Sequence, residues 1–256
     1  MGKQGSLIRN MLAGRELAWW RSRADQAARL SLNDLRSGRS KARALRGELE
    51  RFLRIAEDRL ALPRIGSSAI MLPYNTDWSW RPALWRTPLP VPGQSSAQTK
   101  TMLGDEVTLF HDCRHSELTL RQLRNQREAD LAPYGLRMDV FGFDGSFLSI
   151  VLDLPPEAAQ GLLRRHLVRL DSIIEVEAPL EIFARLNVRH GPNTEQFVRE
   201  ISLEQAAAVV EFDLAYSNIN EKRVEKVWLD LIFENPQMNQ VVIRDLTFSR
   251  RPRAEI

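Results

Sequence analysis

Cysteine is almost missing from this chain. Cys113 stands alone among 256 residues, so no internal disulfide can form and a secreted, cross-linked scaffold is excluded. Long apolar runs are missing too. None reaches the roughly 18 to 20 residues that a membrane-spanning helix requires, and the opening MGKQGSLIRNMLAGREL has no continuous signal-peptide core. A reducing, cytoplasmic setting is the expectation, with peripheral contact at the inner membrane left open by the N-terminal helices described below. The catalytic signatures are absent as well: there is no G-x-S-x-G elbow, P-loop, G-x-G-x-x-G after a strand, or H-E-x-x-H helix. That argues for a non-enzymatic protein without a cofactor.

What is present is ordinary for a folded chain, with 43% apolar and 27% charged residues. The charge is unevenly placed. Residues 1 to 60 hold 14 Lys and Arg against 7 Asp and Glu, while the remaining 196 hold 22 against 26. Basicity therefore belongs to the front end.

From Ser6 to Arg23, apolar Leu7, Ile8, Met11, Leu12, Leu17, Trp19 and Trp20 interleave with Arg9, Arg15, Arg21 and Arg23. This predicts a basic amphipathic helix, with Leu12, Arg15, Trp19, Trp20 and Arg23 touching an anionic membrane or a protein partner. GKQGS after the initiator methionine also matches a myristoylation motif by Gly2 and Ser6. A second helix runs to Leu60 and is closed by Pro63. Its Ala42, Leu45, Leu49, Phe52, Ala56 and Arg59 follow three-four spacing, a seam that makes a homo-oligomer the expected state. Nucleic acid is disfavoured as a partner, because Glu48, Glu50, Glu57 and Asp58 break up any basic face.

Residues 63 to 104 read as an extended arm rich in tryptophan and proline, holding Trp78, Trp80 and Trp85. Three indoles so close form either a stacking platform for a ligand or hydrophobic plugs that cover a sheet.

From Asp105 onward the period is two. Candidate strands are Glu106 to Asp112, Glu117 to Leu123, Leu136 to Phe143, Phe147 to Leu154, Leu167 to Ala178, Glu181 to His190, FVREISL, Val209 to Tyr216, Val224 to Phe233 and Val241 to Arg250. In Val224 to Phe233, Val227, Leu229, Leu231 and Phe233 share one face and Lys226, Trp228, Asp230 and Ile232 the other. GFDGSF is expected to close a hairpin, and Pro155 to Arg165 to form the single crossover helix. So many short strands without alternating helices predict a mainly β fold, an antiparallel jelly-roll-like β-sandwich over 105–256, preceded by helices over 1–62 and the arm over 63–104.

GSFLSIVLDLPPEAAQGL, RLNVRHGPNTEQ and EFDLAYSNINEKRVEKVWLDLIFENPQMNQVVIRDLTFSRRPRAE resemble a family of unknown function from alphaproteobacteria of the Rhodobacterales type. That likeness implies a bacterial origin and no activity. More loosely, the closing W-x-D-L-x-F and x-I-x-D-L-x-x-S strands are similar to those of galactose-binding-like, carbohydrate-binding β-sandwich modules, which would imply a glycan ligand.

Three clusters carry candidate chemistry. Around the Gly-Pro-Asn turn, Arg185, Asn187, Arg189, His190 and Asn193 offer hydrogen bonds to sugar hydroxyls or a phosphate, or satisfy the turn itself. HDCRH sets His111, Cys113 and His115 on one face if the strand continues, a weak metal-ligand candidate beside the reading as buried structural residues. Asp139, Asp144, Asp153, Glu211, Asp213, Asp230 and Asp245 supply carboxylates that a hydrolase would need to pair across a cleft. The reading is a non-enzymatic binding or assembly protein. Its sandwich takes a glycan or a protein through Trp80, Trp85, Asn187, Arg189, His190 and Asn193, and its helices tether it to a membrane surface or to copies of itself. The alternative is a metal-dependent jelly-roll enzyme or a glycan hydrolase.

Overall fold

The computed structural model describes residues 3–64, 70, 72–127 and 130–253, and of 3–13, 50, 54 and 57–64 the main chain alone. The chain divides into two compact units, residues 1–53 and 54–256. Gly2 and the side chains of Leu12 and Arg59 lie outside the described residues.

Helix α1 (Lys3–Asp25) leads through a 3-10 turn into α2 (Leu32–Arg64), of which the part up to Leu53 belongs to the first unit. Ser31 starts α2 as its sequence suggests: its hydroxyl accepts the Asp34 amide at 3.2 Å and donates to the Asp34 carboxylate at 2.7 Å. The expected amphipathic character of α1 is not found. At about 100° per residue, Trp19 points between Arg15 and Arg23, and Leu17 points beside Arg21, so apolar and basic residues share every side. In α2 the apolar residues do gather, and Leu49, Phe52, Leu53 and Ile55 are all more than half exposed. No helix of the described residues is long and apolar enough to cross a membrane.

The second unit is a sandwich of two wholly antiparallel sheets. Its strands are β1 (Trp78–Trp80), β2 (Gly93–Ser95), β3 (Thr101–Leu103), β4 (Val107–His111), β5 (Leu118–Arg124), β6 (Tyr134–Val140), β7 (Leu148–Asp153), β8 (His166–Val176), β9 (Glu181–His190), β10 (Asn193–Glu200), β11 (Ala207–Asp213), β12 (Val224–Glu234) and β13 (Asn239–Pro252). One sheet runs β11-β8-β13-β6-β5-β2, with β1 also on β13; the other runs β10-β9-β12-β7-β4-β3. The two-residue period sets their inner faces. Val227, Leu229, Leu231 and Phe233 of β12 meet Val168, Leu170 and Ile174 of β8 and Leu246 and Phe248 of β13 in one core. Each such side chain stabilises by about 1.5–3 kcal/mol on burial.

Two expectations of local connectivity are corrected. GFDGSF does not close a hairpin: β6 and β7 belong to different sheets, and the link between them crosses the sandwich. The Asp112 carboxylate shapes that link by accepting the Ser146 amide at 2.7 Å and the Phe147 amide at 3.2 Å, while Glu117 accepts the Gly142 amide at 2.8 Å. Pro155 to Arg165 does not make a crossover helix either. Only one turn forms, α4 (Pro156–Ala159), before Gly161 takes a positive φ of 67° and the chain leaves the helix.

The arm is built into the sandwich. Its helix α3 (Ala83–Arg86) closes the seam where β13 has left β6 after Ile243 and has not yet met β1 at Phe248. On its other edge β13 shifts register against β8 between Ile243 and Asp245. The Trp85 indole donates to the Ile243 carbonyl at 2.9 Å, and the Asn125 amide donates to the Ala132, Tyr134 and Arg244 carbonyls. Arg81 then forms a bidentate pair with Asp245 at 2.9 and 2.8 Å, both side chains buried.

Candidate functional site

The outer face of the six-stranded sheet collects the polar side chains that the core rejects. Because β9 and β12 alternate, Arg185, Asn187 and Arg189 stand outward beside Lys226, Trp228 and Asp230. Register places Trp228 between Asn187 of β9 and Asp153 of β7, so the indole occupies the middle of the sheet, half-buried.

Hydrogen bonds fix the polar groups around it. The Asn187 amide nitrogen donates to Asp230 Oδ2 at 3.1 Å, and its oxygen accepts from Gln196 of β10 at 3.0 Å. Arg185 holds the same Asp230 oxygen at 2.8 and 2.6 Å. Lys226 pairs with Asp153 at 2.6 Å and stands 5.8 Å from the Trp228 ring centroid. Arg189 pairs with Glu225 at 3.1 Å. Each of these cations is matched by a carboxylate, so this row carries no net charge. The row crosses β10, β9, β12 and β7, about 14 Å at the usual strand spacing.

Chemically, the face combines an indole with planar donors and acceptors whose orientations are set before any ligand arrives. A hydroxyl placed there can donate to Asp153 while accepting from Arg185, Gln196 or Lys226; Asp230 lies buried beneath them.

Of the residues predicted as ligand contacts, only Arg189 is exposed on this face; Asn187 belongs to it but is 1% exposed, with both ends of its amide engaged. His190 turns inward at the strand end and is 5% exposed. Its Nδ1 accepts the Asn220 amide at 3.3 Å, and its Nε2 is buried with no hydrogen-bond partner among the described residues. Asn193 is exposed at the turn after Gly191. Trp80 packs on Phe248, ring centroids 5.7 Å apart, and Trp85 is 0% exposed with its donor satisfied inside. Neither arm indole shares a surface with Asn187, and Trp85 has none to offer a ligand. Trp228 and Lys226 went unselected in the sequence, although their outward alternation was visible there, and Asp230 was considered only as a hydrolase carboxylate.

The HDCRH cluster does not converge, because β4 stops at His111. Both His111 nitrogens are engaged: Nε2 lies 3.0 Å from the Ala97 carbonyl and Nδ1 accepts the Cys113 amide at 3.1 Å. His115 is exposed near Asp144, while burial raises the pKa of the Cys113 thiol. Among the described residues no three His, Cys, Asp or Glu side chains lie close enough to share a metal. The carboxylates considered for hydrolysis are mostly tied to cations: Asp139 to Arg137, Glu211 to Arg251, Asp213 to Arg253 and Asp245 to Arg81. In the helical unit, Trp19 and Trp20 pack edge to face at 4.8 Å, and the Arg23 guanidinium lies 5.6 Å from the Trp19 ring; Arg15 is exposed.

No curated protein matches this sequence. Among solved structures, the chain is similar to the family 11 carbohydrate-binding module from Clostridium thermocellum in complex with a β-1,3-1,4-mixed-linked tetrasaccharide, at 11% identity over 65% of this chain and 99% of that one, with a TM-score of 0.39. TmCBM61 in complex with β-1,4-galactotriose matches at 13% identity over 57% and 88%, TM-score 0.32. The enzymatically active domain of bacteriophage CBA120 tailspike protein 4 matches at 6% identity over 58% and 21%, TM-score 0.41. A family model covers residues 1–256 from end to end, and the chain belongs to that family, the family of unknown function DUF6478.

Proposed function

We propose that the sandwich is a non-catalytic carbohydrate-binding module whose ligand lies across the outer face of the six-stranded sheet. The observation that carries this reading is the placement of Trp228, partly exposed at mid-sheet inside a row of fixed polar groups from Gln196 to Asp153. An indole stacks on the C–H face of a sugar ring, and the row supplies both donors and acceptors to its hydroxyls. Trp228 acts as the stacking surface, Gln196, Arg185 and Asp153 as hydroxyl partners, and Lys226 and Arg189 as rim contacts, while the buried Asn187 and Asp230 hold Gln196 and Arg185 in place.

A glycan array followed by calorimetry tests it. The wild-type chain binds at least one glycan class, and Trp228→Ala weakens that binding by about 30-fold, the loss of roughly 2 kcal/mol expected for a central aromatic contact. Unchanged affinity in Trp228→Ala, or silence across neutral and charged glycans, overturns the reading.

The helical unit is read as the contact surface for copies of the chain. The exposed Leu49, Phe52, Leu53 and Ile55 of α2 support this. Light scattering on the full chain reports a multiple of the 29.4 kDa protomer mass if this holds, and the protomer mass at micromolar concentration if it does not.

A further inference from the structure

At the end of the sandwich where β9 finishes, the β7–β8 connection meets the β11–β12 connection. Between them lies an open basin of about 580 Å³, lined by Arg164, Arg165, Ala215, Ile219, Glu221 and Lys222 together with Asn220. The two connections are pinned to each other. The Arg164 amide donates to the Glu221 carboxylate at 2.7 Å, and the Arg164 guanidinium donates to the Ala215 carbonyl at 3.0 Å. Asn220 caps the turn below by accepting the Lys222 amide at 3.2 Å, and its own amide rests on His190 Nδ1.

Charge sets this basin apart from the other polar surface described above. On the Trp228 face each cation meets a carboxylate, as in Arg185 with Asp230, Lys226 with Asp153 and Arg189 with Glu225. Here three cations line one concavity with a single carboxylate, Glu221, and one of its oxygens already accepts a main-chain amide. Arg164, Arg165 and Lys222 form no salt bridge among the described residues. Three like charges held together repel one another, and a bound anion relieves that repulsion.

We infer that this basin is an oxyanion site, binding a phosphate, sulfate or carboxylate group through Arg164, Arg165 and Lys222. Guanidinium groups supply paired donors to two oxygens of such a group, and the lysine supplies a point charge. The site is separate from the Trp228 face and does not depend on the ligand proposed there.

The test is an amide NMR titration of the full chain with inorganic phosphate against chloride at matched ionic strength. Phosphate moves the resonances of 164–165 and 215–222 saturably, and the movement is at least tenfold weaker in Arg165→Glu/Lys222→Glu. Polygalacturonate and vesicles of anionic phospholipid are then added in parallel, and whichever moves the same resonances names the source of the anion. Shifts equal in chloride, shifts spread over the whole sandwich, or a response unchanged in the double variant overturn the inference. Should that variant not fold, Lys222→Gln with Arg165→Gln replaces it, judged by the same resonances.

Discussion

Trp85 and Trp228 show two opposite uses of one side chain. The arm places Trp85 in the seam of the seven-stranded sheet, fully enclosed and hydrogen-bonded to Ile243, while β12 holds Trp228 at mid-sheet facing outward beside Asn187 and Asp153. Trp85 belongs to the apolar core together with Leu84, Leu136 and Ile243; around Trp228 stand amides, carboxylates and cations. The difference teaches that clustered aromatics in an irregular segment fill a gap in the core. A lone aromatic on the polar side of an alternating strand marks a surface the fold does not require.

Stability measurements break or sharpen that contrast. Trp85→Ala is expected to cost about 3–5 kcal/mol in denaturant unfolding, the range for emptying a buried tryptophan site. Trp228→Ala is expected to stay within about 1 kcal/mol of wild type, because the indole is only partly buried on the outer face and its loss leaves no enclosed cavity. Equal losses would erase the distinction.

Next in size is Arg81→Ala, which fastens the arm's other charge. Removing one partner of a buried ion pair costs about 3–5 kcal/mol at neutral pH. Burial raises the Asp245 pKa, and Arg81 opposes that rise; without Arg81 the carboxyl moves further up. A carboxyl whose folded pKa lies above its unfolded value favours the native state as pH falls, so the Arg81→Ala deficit should narrow on acidification. A deficit independent of pH would contradict the pair's role.

The smallest expected effect belongs to His166. Its pKa is lowered, chiefly by burial; Asp77 and Glu221 act upward and Arg250 and Arg165 act downward. Its Nδ1 accepts the Leu163 amide at 3.0 Å, and Nε2 faces Asp77 at 3.4 Å, which suits the neutral ring. A histidine depressed on folding contributes stability at neutral pH that is lost as pH falls from the unfolded value near 6.5 through the folded one. Thermal unfolding between pH 7 and pH 5 should therefore show a slope that His166→Gln flattens.

Much of the fold was legible because a pleated strand writes its period directly into the sequence. Val227, Leu229, Leu231 and Phe233 faced the core as their alternation required. Which sheet a strand joins was not legible: alternation separates inside from outside but is silent about partners. So GFDGSF passed for a hairpin although Asp112 and Glu117, distant in sequence, bend it across the sandwich. The candidate site was half legible. Asn187 and Arg189 were found by their residue types near a turn, whereas Trp228 was masked by three arm tryptophans with a stronger local signal. The HDCRH pattern misled because its strand ends where the Cys113 amide folds back onto His111.

The division of the indoles is tested most directly by nitrogen-15 labelling of the tryptophans, which gives six side-chain resonances for the six residues. With the Trp228 and Trp85 signals assigned by Trp228→Phe and Trp85→Phe, a glycan that binds should shift the first and leave the second in place. A ligand that moves Trp85 while Trp228 stays fixed would contradict the placement of the binding face on the six-stranded sheet.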